Sequence, residues 1–322
     1  RQGWYWRQIL LAVLAFVAIW VGVVVLGDSW LQLVLAAALG VTITQFGFLG
    51  HDAAHRQMFV SGAWNDWTSR ILSAVFAGLC LGWWKAKHNL HHANPNMESY
   101  DPDISSGVLA FTRADAERRR PGPGAWLLAR QGWLFFPMLT FEGLNLHYAG
   151  LRQVIVDRTM PHRRLEITLV AARLTAYVVA LALLLPPGLA VTFFVVQMAV
   201  FGVCLGGSFA PNHKGMPIVP RTAKIGFLER QVLMSRNVRG GVLVDFAMGG
   251  LNYQIEHHLF PSMPRPNLRL AQPTIRAYCD ALDVSYTEVG LVESYGIVID
   301  YLNNVGIRAR GPFECPLAAD LR

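Results

Sequence analysis

Uncharged apolar runs lay out this chain before any motif is read. Residues 9–27 (ILLAVLAFVAIWVGVVVLG) carry no charge and as a helix would cross about 30 Å of hydrocarbon. After Asp28 and Ser29 a second uncharged run covers 30–50. So short a link makes the two helices antiparallel neighbours. A third run, 165–185, is interrupted by Arg173 and stopped by Pro186, Pro187 and Gly188, and a fourth, 189–210, is closed by Pro211. Residues 71–84 are apolar but too short to cross, which predicts a re-entrant or interfacial helix. Residues 125–150 mix Trp126, Trp133, Phe135 and Phe136 with Arg130 and Glu142. That pattern fits an amphipathic helix lying on a membrane, or alternatively a soluble core helix. Further on, 264–300 reads as a soluble helical region and 118–124 as an exposed loop rich in Pro, Arg and Gly. No internal repeat or low-complexity tail interrupts this plan.

Composition agrees. Of 322 residues 53% are hydrophobic and 15% charged, where a soluble domain carries about 25% charged residues. The formal charge of +7 would suit nucleic acid, but the cations are scattered between apolar runs, with no basic module. No nucleic-acid partner is therefore expected. Charge also orients the spans. The links 28–29 and 186–188 hold no Lys or Arg, whereas Arg7, Arg56, Lys85, Lys87, Arg163, Arg164, Lys214 and the run Arg118, Arg119, Arg120 fall on the other side. The positive-inside rule makes that side cytoplasmic. The expected fold is an all-α integral membrane protein with four transmembrane helices, interfacial helices and a cytoplasmic helical cap. It forms one domain over 1–322, with cytoplasmic parts at 51–164 and 211–322. Cys80, Cys204, Cys279 and Cys315 stand far apart, which excludes a zinc ribbon and argues against a disulfide framework. The first residue is Arg1, not Met; a missing natural N-terminus stays open, and no targeting peptide is read from it.

The candidate chemistry lies in the histidines, all of which this topology brings to the cytoplasmic side. His51 and His55 in HDAAH end the second run, and their i, i+4 spacing gives them one helical face. His88, His91 and His92 in HNLHH follow the short apolar segment, again with spacing that gathers the rings on one face. His257 and His258 in QIEHH are adjacent, about 100° apart on a helix. They suit two neighbouring metals, or one metal and a supporting partner. Imidazole serves iron, zinc and copper. A lone histidine is more often structural than a ligand. Seven of ten in such clusters are hard to attribute to packing.

HDAAH, HNLHH and QIEHH resemble the three histidine boxes of membrane fatty-acid desaturases, in that family's order. The flanking Gly50, Asn94, Pro95, Asn96, Asn252, Tyr253, Leu259, Phe260 and Pro261 agree with it, and the likeness covers about 42–264. Gln254 opening the third box resembles acyl-CoA and front-end desaturases, including actinobacterial acyl-CoA desaturases. The resemblance implies a centre of two iron ions held almost wholly by histidine, with O2 as co-substrate, in a multi-pass protein of a bacterial cell membrane. It implies His213, from the APNHKG segment, as a further ligand. Asn212 and Asn252 are candidates for holding a bound water, and His147 is either ligand-adjacent or structural. Asp52, Glu256, Asp101 and Asp103 are candidate carboxylates behind the ligands, since metal-bound histidines donate their other N–H to such groups; a solvated charge or helix cap is the plainer alternative for each. Gln254 lies one turn before both His257 and His258, within reach of a ligand or a water. Trp83 and Trp84 either shape an acyl tunnel or anchor the interface.

The activity implied is insertion of a cis double bond into a long-chain acyl group, carried as acyl-CoA or as acyl lipid. Breaking an unactivated C–H bond needs a redox metal, whose chemistry the protein only directs. The chain carries no G-x-G-x-x-G nucleotide fingerprint and no His-Pro-Gly-Gly haem motif. Electrons are therefore expected from an NAD(P)H-dependent reductase, ferredoxin, rubredoxin or cytochrome, docking near 118–120. A hydroxylase or ketolase of the same superfamily is the alternative. A membrane metal transporter would place ionisable residues inside the spans, and these spans hold almost none. A scaffold with a structural zinc would not need three clusters.

Overall fold

The fold is taken from a computed structural model that describes residues 2–105, 107–118 and 123–307. Arg1, Arg119, Arg120 and Cys315 lie outside them. In chain order the helices are α1 (Gln2–Leu26), α2 (Gln32–Ala54), α3 (Gly62–Arg70), α4 (Leu81–Ala93), α5 (Arg113–Glu117), α6 (Pro123–Leu128), α7 (Gln131–Leu139) and α8 (Glu142–Val156). They continue with α9 (Arg163–Leu184), α10 (Pro187–His213), α11 (Phe227–Leu233), α12 (Val242–Ala247), α13 (Gln254–Leu259), α14 (Arg265–Ala281) and α15 (Leu291–Ile307). Two short strands, β1 (Asn237–Arg239) and β2 (Glu288–Gly290), pair in parallel, with Asn237 opposite Glu288. The four apolar runs become α1, α2, α9 and α10, each long and apolar enough to cross a membrane.

Four boundaries depart from the sequence reading, each for a local reason. Segment 71–84 is not one helix: a π-helical turn, Ile71–Ala77, prolongs α3, and Gly78 ends it at φ 75°, donating its N–H to the Ser73 carbonyl. Few residues besides glycine adopt that left-handed backbone cheaply, and α4 starts afresh at Leu81. Segment 125–150 is three helices, α6 to α8. The Gln131 side chain fixes the first break by bonding the backbone of Ala110 and the Leu302 carbonyl. Pro211 does not close the fourth span. A proline removes the hydrogen bond to the carbonyl four residues back, and that carbonyl, on Gly207, accepts the Tyr295 hydroxyl at 3.1 Å instead. Helix α10 therefore runs on to His213. Segment 264–300 contains β2 between α14 and α15; a three-residue strand leaves no alternation for a sequence pattern to reveal.

The chain divides into two compact units, Arg1–Ala86 with Leu139–Gly206 and Lys87–Met138 with Gly207–Arg322. In the first, one stripe of each span is buried, including Ile19, Leu39, Tyr177, Leu181 and Phe193. The α1–α2 link is tight because the Gln32 amide donates to the Val23 and Gly27 carbonyls at 2.8 and 2.9 Å. It satisfies groups that the end of α1 leaves open. Lipid gives no hydrophobic drive between spans, so close approach at small residues matters more. At Gly40 of α2, a Cβ would lie 2.8 Å from the Gln197 carbonyl and 2.9 Å from Val200 Cβ of α10. The second unit is built on a different principle. Val232, Ile255, Ile275 and Cys279 join α11, α13 and α14, and Met97, Val219, Leu233 and Met234 form a second cluster. Burying such aliphatic side chains is worth about 1.5–3 kcal/mol each, which fixes α11 behind α13.

Candidate metal centre

Within the second unit the imidazoles fall into two groups. Helix α4 presents His88 and His92 four residues apart, with their Nε2 atoms at 3.0 Å, and His257 of α13 comes to 3.1 Å from His92 through Nε2. The other group takes His91 from α4, His213 from the end of α10 and His258 from α13. Its possible ligand atoms lie within 4.8 Å of one another, with His91 and His213 Nε2 at 3.2 Å. The HNLHH box therefore does not point three rings at one place. Neighbours on a helix diverge by about 100°, so His91 leaves His92 as His258 leaves His257, and each pair serves both groups.

The atoms behind the second group fix its chemistry. His91 Nδ1 lies 3.0 Å from both oxygens of Asp101. His213 Nδ1 lies 3.0 Å from the Met234 carbonyl, and His258 Nδ1 2.9 Å from Gln231 Oε1. A carboxylate or carbonyl oxygen only accepts, so each Nδ1 carries a proton, and in the neutral ring Nε2 is the nitrogen left with a lone pair. His213 Nε2 faces both His91 Nε2 and the Gln254 amide nitrogen, and two facing imidazole lone pairs 3.2 Å apart repel unless a cation or proton stands between them. His258 Nε2 is buried and has no hydrogen-bond partner among the described residues. Three imidazoles whose Nε2 atoms converge in this way fit a transition-metal ion, which would take them in their neutral form.

Electrostatics separates the members. Burial, then the charges of His92, His213 and His91, holds His258 well below the ordinary histidine range. Burial would lower His91 as well, but Asp103 and Asp101 outweigh it and raise its pKa. Asp101 is lowered: burial opposes its charge, and the His91 hydrogen bond and charge overcome that. Asp101 also accepts the backbone N–H groups of Asn96 and Asp103, while Lys87 pairs with Asp103 at 2.7 Å.

In the first unit, His51 lies in the last turn of α2 and His55 follows as its C-cap. Their rings stand 4.6 Å apart, with Trp84 5.5 Å from His51. Asp52 Oδ1 lies 3.2 Å from His51 Nδ1, where a supporting carboxylate was expected. Burial, then His51 and Lys85, lowers His55 well below its ordinary value. Trp83 packs half-buried beside Cys80, Val154 and Met160.

Other expected residues are placed differently. Gln254 directs its amide nitrogen to His213 Nε2 at 2.9 Å, and Asn212 donates to Gln254 Oε1 at 3.2 Å; both belong to the second group's surroundings. Glu256 instead accepts from the Tyr286 hydroxyl and the Asn237 amide at 2.6 and 2.7 Å, bracing α13 rather than backing a histidine. Asn252 donates to Asp245 at 2.9 Å. His147 uses Nδ1 on the Gly143 carbonyl at 2.7 Å and also bonds the Ala77 backbone. It ties α8 to the π-helical turn, the structural alternative. Gln231 and the Met234 carbonyl escaped the sequence reading. A lone glutamine outside any box carries no pattern, and a backbone acceptor carries no sequence signal at all.

Membrane-length helices with grouped, tautomer-fixed imidazoles define the class: a membrane protein whose histidine groups could hold metal ions. A sequence model of the fatty acid desaturase family matches residues 28–290, and the chain belongs to that family. It is 28% identical over 301 residues to a Delta(8)-fatty-acid desaturase of Helianthus annuus, covering 90% of this chain and 66% of that protein. It is 30% identical to an acyl-lipid (9-3)-desaturase of Physcomitrium patens, covering 84% and 53%. Against a Delta(6)-fatty-acid desaturase of Caenorhabditis elegans it is 29% identical, covering 84% and 64%. The chain thus spans between about half and two thirds of these relatives' lengths.

Proposed function

We propose that this chain is a desaturase that introduces a cis double bond into a long-chain acyl group, delivered as acyl-CoA or within a lipid. The observation that carries the reading is the second imidazole group, whose three Nδ1 atoms are tied to acceptors so that three Nε2 lone pairs converge. His91, His213 and His258 would hold one metal ion. His88, His92 and His257 would hold the other, and the i, i+4 spacing of HDAAH keeps His51 and His55 as further candidate ligands. A pair of iron ions bound there would supply the O2-dependent oxidation that removes two hydrogens from the chain.

The protein's own contribution is positioning. Asp101, the Met234 carbonyl and Gln231 hold the Nδ1 protons, which keeps the Nε2 atoms aimed inward. Gln254 and Asn212 complete the polar wall at His213, a place suited to a water. Trp83 and Trp84 are candidates for lining the acyl path. An electron donor, docked through cations near Arg118, supplies the two electrons that O2 reduction needs. The charge asymmetry of the links supports a cytoplasmic active side in a cell membrane with four spans.

The test is expression in a desaturase-deficient host, with gas chromatography and mass spectrometry of its fatty acids. A new double bond is expected, and it should vanish in His91→Ala and His258→Ala. A hydroxylated or keto product in place of the alkene would overturn the reading. Feeding labelled acyl-CoA against labelled phospholipid to isolated membranes decides the carrier.

A further inference from the structure

Resting on the metal-centre reading above, we propose that Gln231 is a positioning residue that fixes His258 in its metal-binding tautomer and links the two imidazole groups. Gln231 sits on α11 with 2% of its surface exposed, far in sequence from every histidine box. Its amide is used at both ends. Nε2 donates to the His92 carbonyl at 3.1 Å, and Oε1 lies 2.9 Å from His258 Nδ1.

The two contacts determine each other. A carbonyl can only accept, so the NH2 end must face His92, which turns Oε1 toward His258 and makes Nδ1 the protonated nitrogen. The reverse amide orientation would set oxygen against oxygen at His92. With Nδ1 committed as hydrogen-bond donor, His258 Nε2 is left with its lone pair, and it is buried without a hydrogen-bond partner among the described residues. The same helix holds the end of α4 a second time: Arg230, the preceding residue, donates to the Ala93 carbonyl at 3.0 Å. The last carbonyls of a helix have no partner within it. Helix α11 satisfies two of them on the element that carries His88, His91 and His92. Gln231 thus touches the backbone of a residue in one group and the side chain of a residue in the other.

The experiment uses the full chain in detergent micelles, loaded anaerobically with Fe(II) or with Co(II) as an absorption probe. Metal per chain and affinity are read by competition with a chelator. Two variants separate the roles: Gln231→Met keeps length and bulk but offers only a weak thioether acceptor, whereas Gln231→Glu restores a strong acceptor for Nδ1 alone. The expected result is that Gln231→Met weakens one of the two bound metals by about 10- to 100-fold, as loss of a ligand's supporting partner commonly does. That change should come with altered Co(II) ligand-field bands, and Gln231→Glu should recover both. Wild-type affinity for both metals in Gln231→Met overturns the proposal. Equal loss in both variants with a lowered metal-free melting temperature also overturns it, since Gln231 would then serve only the packing of α4. Wild-type protein that binds no metal would sink the metal-centre reading itself, a result distinct from either.

Discussion

His91 shows how much of a ligand's behaviour is set by the atom behind it. Its Nδ1 faces Asp101, whose oxygens also accept two backbone N–H groups, so the carboxylate is locked before any metal arrives. Asp101→Asn preserves shape but offers an amide that can present N–H to Nδ1 and select the wrong tautomer. Metal affinity at that group is expected to fall about 10- to 100-fold, measured by chelator competition, while the metal-free melting temperature moves much less. Unchanged affinity would mean that Asp101 serves only as the cap of its own turn. The residue types were legible in the sequence. Which nitrogen each would use was not, because a tautomer is chosen by a partner brought from elsewhere in the chain.

At the scale of elements, the spans are held by close approach. A methyl group at Gly40 would meet the Gln197 carbonyl at 2.8 Å and Val200 Cβ at 2.9 Å, and a backbone oxygen cannot swing aside. Gly40→Ala is expected to cost about 1–3 kcal/mol, read as a lowered unfolding temperature in micelles. Val200→Ala should relieve part of it. A wild-type transition in Gly40→Ala would show that α2 and α10 do not press together there. The long apolar runs were readable because a bilayer demands length and apolarity. The break at Gly78 and the passage of α10 through Pro211 were not, since each is settled by one contact: the Gly78 N–H on the Ser73 carbonyl, and the Tyr295 hydroxyl on the Gly207 carbonyl.

For the whole molecule, proton and metal binding oppose each other. His258 and His55 have depressed pKa values, so the folded state favours their neutral forms. The stability they contribute is present above about pH 6.5, the ordinary histidine value, and is lost as pH falls below it. His91 is raised and has the opposite sign: its contribution is present below about pH 6.5 and fades as pH rises through its folded value. Metal binding needs every Nε2 free of its proton, so lowering the pH from 7.5 to 6 should weaken it. Binding should also release protons, measured by titration calorimetry in buffers of different ionisation enthalpy. No proton release would count against His91 as a ligand. Metal removal should lower the unfolding temperature, since a ligand at about 100 times its dissociation constant adds about 2.7 kcal/mol to stability.

The sequence by itself determined the membrane spans, the helical character of the chain and the residue types of the metal centre. Run length, charge deficit and i, i+4 spacing are local properties that survive without a fold. Only the tertiary structure decided how the histidines divide. Adjacent residues on a helix point about 100° apart, so His91 and His92, like His257 and His258, part company between two groups. It also decided that Glu256 braces α13 through Tyr286 and Asn237, and that Gln231 and the Met234 carbonyl hold Nδ1 protons. Those assignments depend on groups distant in sequence meeting at hydrogen-bond range, which packing alone sets.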